Sequence, residues 1–434
     1  MTEMKDSGTT WLGMIPKDWE LSKISSIYEL RTQKVSDKDY PPLSVTMNGI
    51  VPQLDSAAKT NAHDDRKLVK KGDFAINSRS DRRGSCGVSE YDGSVSLINT
   101  VMKPRDEMNP NYYNWLFHTI QFADEFYKWG HGIVDDLWTT NWQDMKHIDI
   151  PVPTLDEQKV IADYLNKAIP EIDALHTDIE KQIETLEEYK KSIITEAVTK
   201  GLDPDVEMKD SGIEWVGMIP KNWNVTRIGY ESWIRARLGW KGLKAEEYVL
   251  EGHPFLSAFN IIQNKISWDE LNYITNERYN ESPEIMLKVG DIVLVKDGAG
   301  IGKCAKIDSL PYETATTNGS LAVISATVEK LDYNYLYFYL QSAMFQNYIL
   351  RIMNGMGVPH LSQEELRKIK IPFPPINEQI QIAKYLEKKR NDIDMAILEK
   401  IQQLETLEQY KKSVIYEYVT GKKEVKKIWH LRKN

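Results

Sequence analysis

The residues best equipped for chemistry lie in one short loop, and that loop occurs twice. Asn77 to Arg83 reads NSRSDRR, in which Arg79, Arg82 and Arg83 could make bidentate contacts to guanine or hold phosphates, with the hydroxyls of Ser78 and Ser80 beside them. The flanking residues recur at an offset of 218: Gly72-Asp73 with Gly290-Asp291, Gly84 with Gly302, and Cys86 with Cys304. Between those fixed points the second copy reads VKDGAGI, so Lys296, Asp297 and Lys303 are its polar set. Phe74-Ala75-Ile76 and Ile292-Val293-Leu294 read as buried strands entering hairpins whose tips differ. A shared frame with divergent tips suits two readers of different targets. Asp297 to Cys304 also has the glycines and lysine of a phosphate-wrapping loop. That motif needs glycine where Asp297 stands and a hydroxyl where Cys304 stands, so nucleotide binding is not expected. The eight histidines show no metal-ligand spacing, and no acidic pair resembles a nuclease site.

Further polar candidates lie late in each half. Trp129-Gly130-His131-Gly132 resembles Asn354-Gly355-Met356-Gly357. Each precedes a polar stretch, Trp138-Thr139-Thr140-Asn141 or His360-Leu361-Ser362-Gln363. Glycine-flanked backbone can approach phosphates closely, although turn glycines without a ligand are commoner. Thr316, Thr317 and Asn318, loosely parallel to Ile98 and Asn99, complete the set; of all these late candidates, Thr317, Asn318 and His360 are taken as DNA contacts.

Longer repeats position these loops. Glu3 to Glu20 recurs at Glu207 to Asn224, an offset of 204, and the block from Ile148 to Ile194 returns from Ile369 at an offset of 221. Two long copies imply internal pseudo-two-fold symmetry, which suits a ligand with two related halves, duplex DNA above all. Residues 1–150 are expected to hold the first repeat motif and an α+β globular domain, 151–203 a helical spacer, 204–371 the second motif and domain, and 372–434 a second spacer with a tail. Pro151 and Pro153 break the pattern. The acidic turn at Asp156-Glu157 suits a helix start, and Pro170 is read as a second start. From there Ile172, Leu175, Ile179, Ile183, Leu186, Tyr189 and Ile193 form one apolar stripe, and Gly201 and Pro204 end it. Ile393, Ile397, Ile401, Leu404, Leu407, Tyr410 and Val414 repeat the stripe. Two matched helices following two domains point to an antiparallel coiled coil between the domains. A helix from Pro170 to Thr199 would span about 45 Å. If the halves are equivalent, Met4 to Trp19 should pack near Thr420 and Gly421.

At 434 residues the chain can bury several cores, and no apolar run approaches the roughly 20 residues that cross a bilayer. Two cysteines are too few for a disulfide framework; with no secretory signal opening the chain, a cytoplasmic protein is expected. The net charge is −9, with 16 basic against 19 acidic residues from 20 to 150 and 16 against 17 from 224 to 371. Neither domain can grip a polyanion by charge alone, so weak DNA binding is expected without a partner.

Two variable halves, each followed by a helical segment, resemble the specificity subunit of type I restriction-modification systems. The resemblance rests on Ile150-Pro151-Val152-Pro153 with Glu157-Gln158, on Ile371-Pro372-Phe373-Pro374 with Glu378-Gln379, and on the Leu-Glu-x-Tyr-Lys-Lys-Ser signature; it covers essentially the whole chain. It implies that each half is a target recognition domain, about 20 to 150 and 224 to 371, reading one part of a split site in double-stranded DNA. It implies helices that set the spacing and bind methylation subunits, two of them, which carry the S-adenosylmethionine chemistry, with a restriction subunit joining them. No cofactor, no catalysis and no membrane are expected of this chain. The rival reading is a self-contained methyltransferase. Asn109-Pro110-Asn111-Tyr112 differs by one residue from the Asn-Pro-Pro-Tyr of adenine methyltransferases, but it suits a helix start, and no glycine-rich cofactor loop precedes it.

Overall fold

The computed structural model describes residues 3–54, 63–105, 108–133, 138–237, 243, 245–298, 300–327, 329–353 and 360–425. The chain divides into two compact units, Met1–Glu180 with Ile401–Asn434 and Lys181–Lys400. No helix among the described residues is long and apolar enough to cross a membrane.

In the first unit the apolar run Phe74–Asn77 becomes an inner strand of a four-stranded antiparallel sheet, ordered Cys86–Val88, Phe74–Asn77, Asn99–Pro104, Tyr28–Leu30. Its continuous hydrophobicity follows from burial on both faces. A second sheet orders Gly93–Val95, Arg66–Val69 and Lys34–Val35, and Leu43–Thr46 forms a hairpin with Gly49–Pro52. Two helices pack beneath, Pro110–Phe117 and Ile120–Lys128, capped by the Asn109 and Thr119 side chains. Phe74, Phe117 and Phe122 meet there at centroid distances of 5.1 and 4.4 Å. Asn109-Pro110 is thus a helix cap, with its carboxamide accepting from the Asn111 and Tyr112 amides.

The second unit repeats this plan. Its four-stranded sheet runs Cys304–Lys306, Asp291–Val295, Leu321–Ala326, Ser232–Arg235, and Asp332 caps the helix Tyr333–Gln341. Each sheet carries one equivalent ion pair: Arg31 with Asp73 at 2.5 Å, and Arg235 with Asp291 at 2.6 Å.

The proline-containing signature is a strand in both copies. Asp149–Val152 pairs with Glu20–Lys23, and Lys370–Phe373 with Asn224–Arg227. A ribbon of only two strands tolerates proline because its outer edges need no donor. The Glu-Gln that follows is a double latch. Gln158 donates to the Pro153 carbonyl and accepts from the Asn109 amide, both at 2.8 Å, while Glu157 accepts from the Trp19 indole at 3.3 Å. Gln379 does the same with Pro374 and Asp332, and Glu378 with Trp223. The signature therefore ties helix, domain and tryptophan together.

Pro170 does not start a helix. The first long helix runs unbroken from Leu155 to Lys200, 46 residues with Pro170 inside, and the second from Ile376 to Val419, 44 residues. The first is therefore about 69 Å long, half as long again as expected. Proline here loses one backbone bond and crowds the Asn166 carbonyl. Both residues lie on the exposed face, where water can satisfy that carbonyl, while Ile169 and Ile172 are held in the core. The helices pair antiparallel within each unit. The Tyr164 and Tyr418 rings meet at a tilt of 43° and Asp173 pairs with Lys411 in the first; Lys190 pairs with Asp394 at 2.9 Å and Gly201 lies against Glu378 in the second. Two helices bury only a narrow seam. Ile172, Ile179, Ile393 and Val414 are inside it, whereas Leu175, Tyr189 and Tyr410 of the stripes remain 53% exposed.

The N-terminal block packs on the end of the second helix. Tyr416 donates to the Trp11 and Leu12 carbonyls, and Gly421, at φ +69°, lies where a Cβ would fall 2.4 Å from Pro16. Gly201 takes the corresponding place against Trp223 and Pro220 in the second unit.

Candidate nucleic-acid interface

In each unit the divergent loop leaves an inner strand and is anchored at its first residue in the same way. Ser78 accepts at its carbonyl from the Thr140 amide (2.9 Å), and Lys296 from the Leu361 amide (2.8 Å). The next residue bridges across, Arg79 to Thr139 and Asp297 to His360. The anchors share the 221 offset of the long repeat, so the candidate segments noted separately in the sequence converge. Their chemistry does not match: where one unit presents a guanidinium, the other presents a carboxylate.

Arg79 and Arg82 are exposed. Arg82 lies 3.6 Å from Asp81, and Arg79 makes no ion pair among the described residues. Arg83 pairs with Asp124 and sits 5.2 Å over the Tyr127 ring, which fixes its direction. Ser80 opens a short 3-10 turn, Ser80–Arg82, and its side chain lies outside the described residues. Ser78 is buried and its hydroxyl bonds Thr100 at 3.1 Å, so it supports the loop and is not available to a ligand.

In the second unit Asp297 bonds both Lys296 (2.6 Å) and the His360 ring, making a compact polar triad with His360 on the surface. Lys303 is exposed at the far end of the loop. Asn318 lies beside the triad: its amide donates to the Leu256 carbonyl, its carboxamide accepts from Ser320, and the Ser320 carbonyl accepts from the Lys296 amide. Thr317 is 0% exposed, and its hydroxyl has no partner among the described residues. It faces the interior and cannot touch DNA in this conformation. The strand register also revises the loose parallel with Ile98 and Asn99: Pro42 bridges Ser94 as Phe255 pairs with Thr316, so Thr316 matches Ser94.

Gly130 serves packing, since a Cβ there would meet the Trp138 indole nitrogen at 2.4 Å. Its counterpart, Asn354 to Gly357, lies outside the described residues, as does Ala299. Cys304 is buried in its strand, and burial pushes its thiol up to about 12. No phosphate-binding role is left for that position.

Sequence reading missed Arg66 and did not foresee that it lines one open cleft with Asn77 and Asn99 beside the first loop. The one available signal was a polar residue in each of three strands whose partners in the other unit are otherwise apolar or acidic.

A family model, the type I restriction modification DNA specificity domain, matches residues 16–185 and 242–406. The chain belongs to that family. A specificity subunit of Methanocaldococcus jannaschii, that of the type I restriction enzyme MjaVIII, is 27% identical over 427 residues, covering 95% of each chain. The fold is shared with a chain from a structure of type I R-M system assembly and conformational transition, at a TM-score of 0.72 and 14% identity over 93% of this chain and 98% of that one. It is also shared with the HsdS subunit from Thermoanaerobacter tengcongensis, at a TM-score of 0.58 and 15% identity over 94% and 98%. This specificity subunit is accordingly a DNA-recognition component of a type I restriction-modification system.

Proposed function

We propose that each unit reads one part of a split DNA site, through Arg79, Arg82 and Arg83 with Ser80 in the first and through Lys296, Asp297, Lys303, Asn318 and His360 in the second. The observation that carries this is the common anchor holding Arg79 and Asp297 at one structural position with opposite charge. Identical placement with inverted chemistry gives two addresses on one scaffold. Arginine suits guanine O6 and N7, whereas a carboxylate accepts from the cytosine amine.

The recognition domains are residues 20–150 and 224–371, and the segments 151–203 and 372–434 are spacers that fix the gap. Two methylation subunits dock on the helices, and a restriction subunit joins through them. Leu175, Tyr189, Met395, Leu398 and Tyr410 supply exposed apolar surface for that docking. The chain itself performs no catalysis and works in the cytoplasm with its DNA. Purified alone it binds DNA weakly, because neither domain is basic overall.

Methylome sequencing with and without the gene tests this reading. A two-part motif with a fixed gap should disappear on deletion, and exchange of residues 77–83 should rewrite one part only. Unchanged specificity after the exchange refutes the assignment of the loop, and binding of labelled S-adenosylmethionine to the purified chain refutes the non-catalytic reading.

A further inference from the structure

The first unit contains a polar cleft at a place where the second is filled. About 420 Å³ in volume, the cleft opens between the Leu43–Pro52 hairpin and the loop carrying Arg82, with Arg66, Asn77 and Asn99 among its lining. Asn77 pairs with Asn99 in the first sheet at the register where Val295 pairs with Leu321 in the second. One strand away, Lys67 matches Ile285. Ile285, Val295 and Leu321 are all buried in one apolar cluster of the second unit, and Arg66 matches Glu284. Lys67, Asn77 and Asn99 are thus polar where the second unit is apolar, while Arg66 stands where the second unit has a carboxylate.

Arg66 is 5% exposed. Its Nε donates to the Ser94 hydroxyl at 2.8 Å and its Nη2 to the Ser94 carbonyl at 3.0 Å, and among the described residues it has no carboxylate partner. Asp37 acts on it through space but is itself bonded to His63. Burial draws the guanidinium down from its ordinary range. A buried cation whose counter-charge acts only through space is left short of direct partners, which an arriving anion would supply. Asn99 Oδ1, also buried, has no donor among the described residues.

We propose that this cleft receives a nucleotide of the bound DNA, with Arg66 anchoring its phosphodiester, and that the second unit has no such anchor. The inference rests on the DNA-recognition reading above. Arg82 at the rim lies 3.6 Å from Asp81, a carboxylate of the same lining, so Arg66 is the cation left for the phosphodiester, and Asn99 Oδ1 is left for an N–H donor. A bare inorganic anion has no such group, whereas the exocyclic amine of a base supplies one.

The test uses the complete complex with its methylation subunits and duplexes carrying the recognition site, each with one phosphate replaced by a neutral methylphosphonate. One position should weaken wild-type binding about tenfold or more and leave Arg66→Met indifferent. Arg66→Met itself should lose a similar factor and lower the salt slope by about 0.9. Arg66→Lys should keep the dependence on that phosphate. Asn99→Asp, which places a carboxylate in the cleft at constant shape, should weaken binding with an unchanged circular dichroism spectrum, so the proposal remains testable if Arg66→Met fails to fold. The absence of any Arg66-dependent phosphate, or full affinity in Asn99→Asp, overturns the proposal. Thermal stabilisation of the DNA-free complex by inorganic phosphate, abolished in Arg66→Met, would reassign the cleft to a free anion and overturn it also. A wild-type complex indifferent to the split site would overturn both this and the recognition reading; site preference without Arg66 dependence would remove only this one.

Discussion

The two recognition units share a frame and differ in what the frame holds. Ion pairs, capped helices, proline ribbons and Glu-Gln latches recur at matching positions, while the loop after the inner strand carries arginines in one unit and Lys296 and Asp297, bonded to His360, in the other. Beneath the loop the units diverge again, into a cleft in the first and an apolar core in the second. The backbone bonds that hold the loop are thus separable from the side chains it presents.

The largest expected effect probes the shared frame where its burial differs. Arg235→Met strands the Asp291 carboxylate, both side chains being about 5% exposed, and should cost the second unit about 3–5 kcal/mol. Arg31→Met, whose side chain is 19% exposed, should cost the first about 2 kcal/mol. Calorimetric melting of both variants checks the order, and equal losses would break the comparison. Next come the helix-end glycines. Both have positive φ, which costs a side chain about 1–2 kcal/mol, but Gly421→Ala also meets Pro16 at 2.4 Å, whereas Gly201→Ala meets only ordinary-to-tight neighbours beyond 3 Å. The Gly421 variant should therefore melt lower by a further 1–3 kcal/mol, roughly.

Arg79→Ala and Asp297→Ala should leave melting unchanged while each relaxes one half of the DNA motif by about 1–3 kcal/mol, read in binding assays with single base changes. Relaxation of both halves by either variant would show that the units do not read separately. The smallest effect is a contribution to acid sensitivity from a buried histidine that the first unit has and the second lacks at the matching position. Burial outweighs the bond of His118 to the Asn114 carbonyl and draws its imidazole below the ordinary range; the matching residue in the second unit is Gln341. The folded state then holds fewer protons than the unfolded one. Its advantage is full above the unfolded value of about 6.5 and is lost as pH falls below that. His118→Gln should flatten the dependence of the first melting transition on pH.

Much of this architecture was legible because repetition supplies its own alignment. Matched offsets located the strands that frame the loops and the paired helices, and even the contact of Trp11 and Leu12 with the end of the second helix followed from the order of segments. Three things were not legible. Pro170 reads as a boundary locally, yet tertiary burial of Ile169 and Ile172 carries the helix through it. Thr317 has a polar side chain, and nothing in its spacing reveals a strand that turns it inward. The cleft depends on Arg66, Asn77 and Asn99, residues from three separate strands that only sheet register brings together.

The two-stranded ribbons have a consequence for inheritance. Lys23 faces Asp149 and Arg227 faces Lys370, so everything between those residues enters and leaves the scaffold at adjacent points about 5 Å apart. A recognition fold attached in this way is an exchangeable cassette. The attachment asks of the insert only that its two ends lie side by side. The insert can then change as a whole while the two strands that hold it stay as they are.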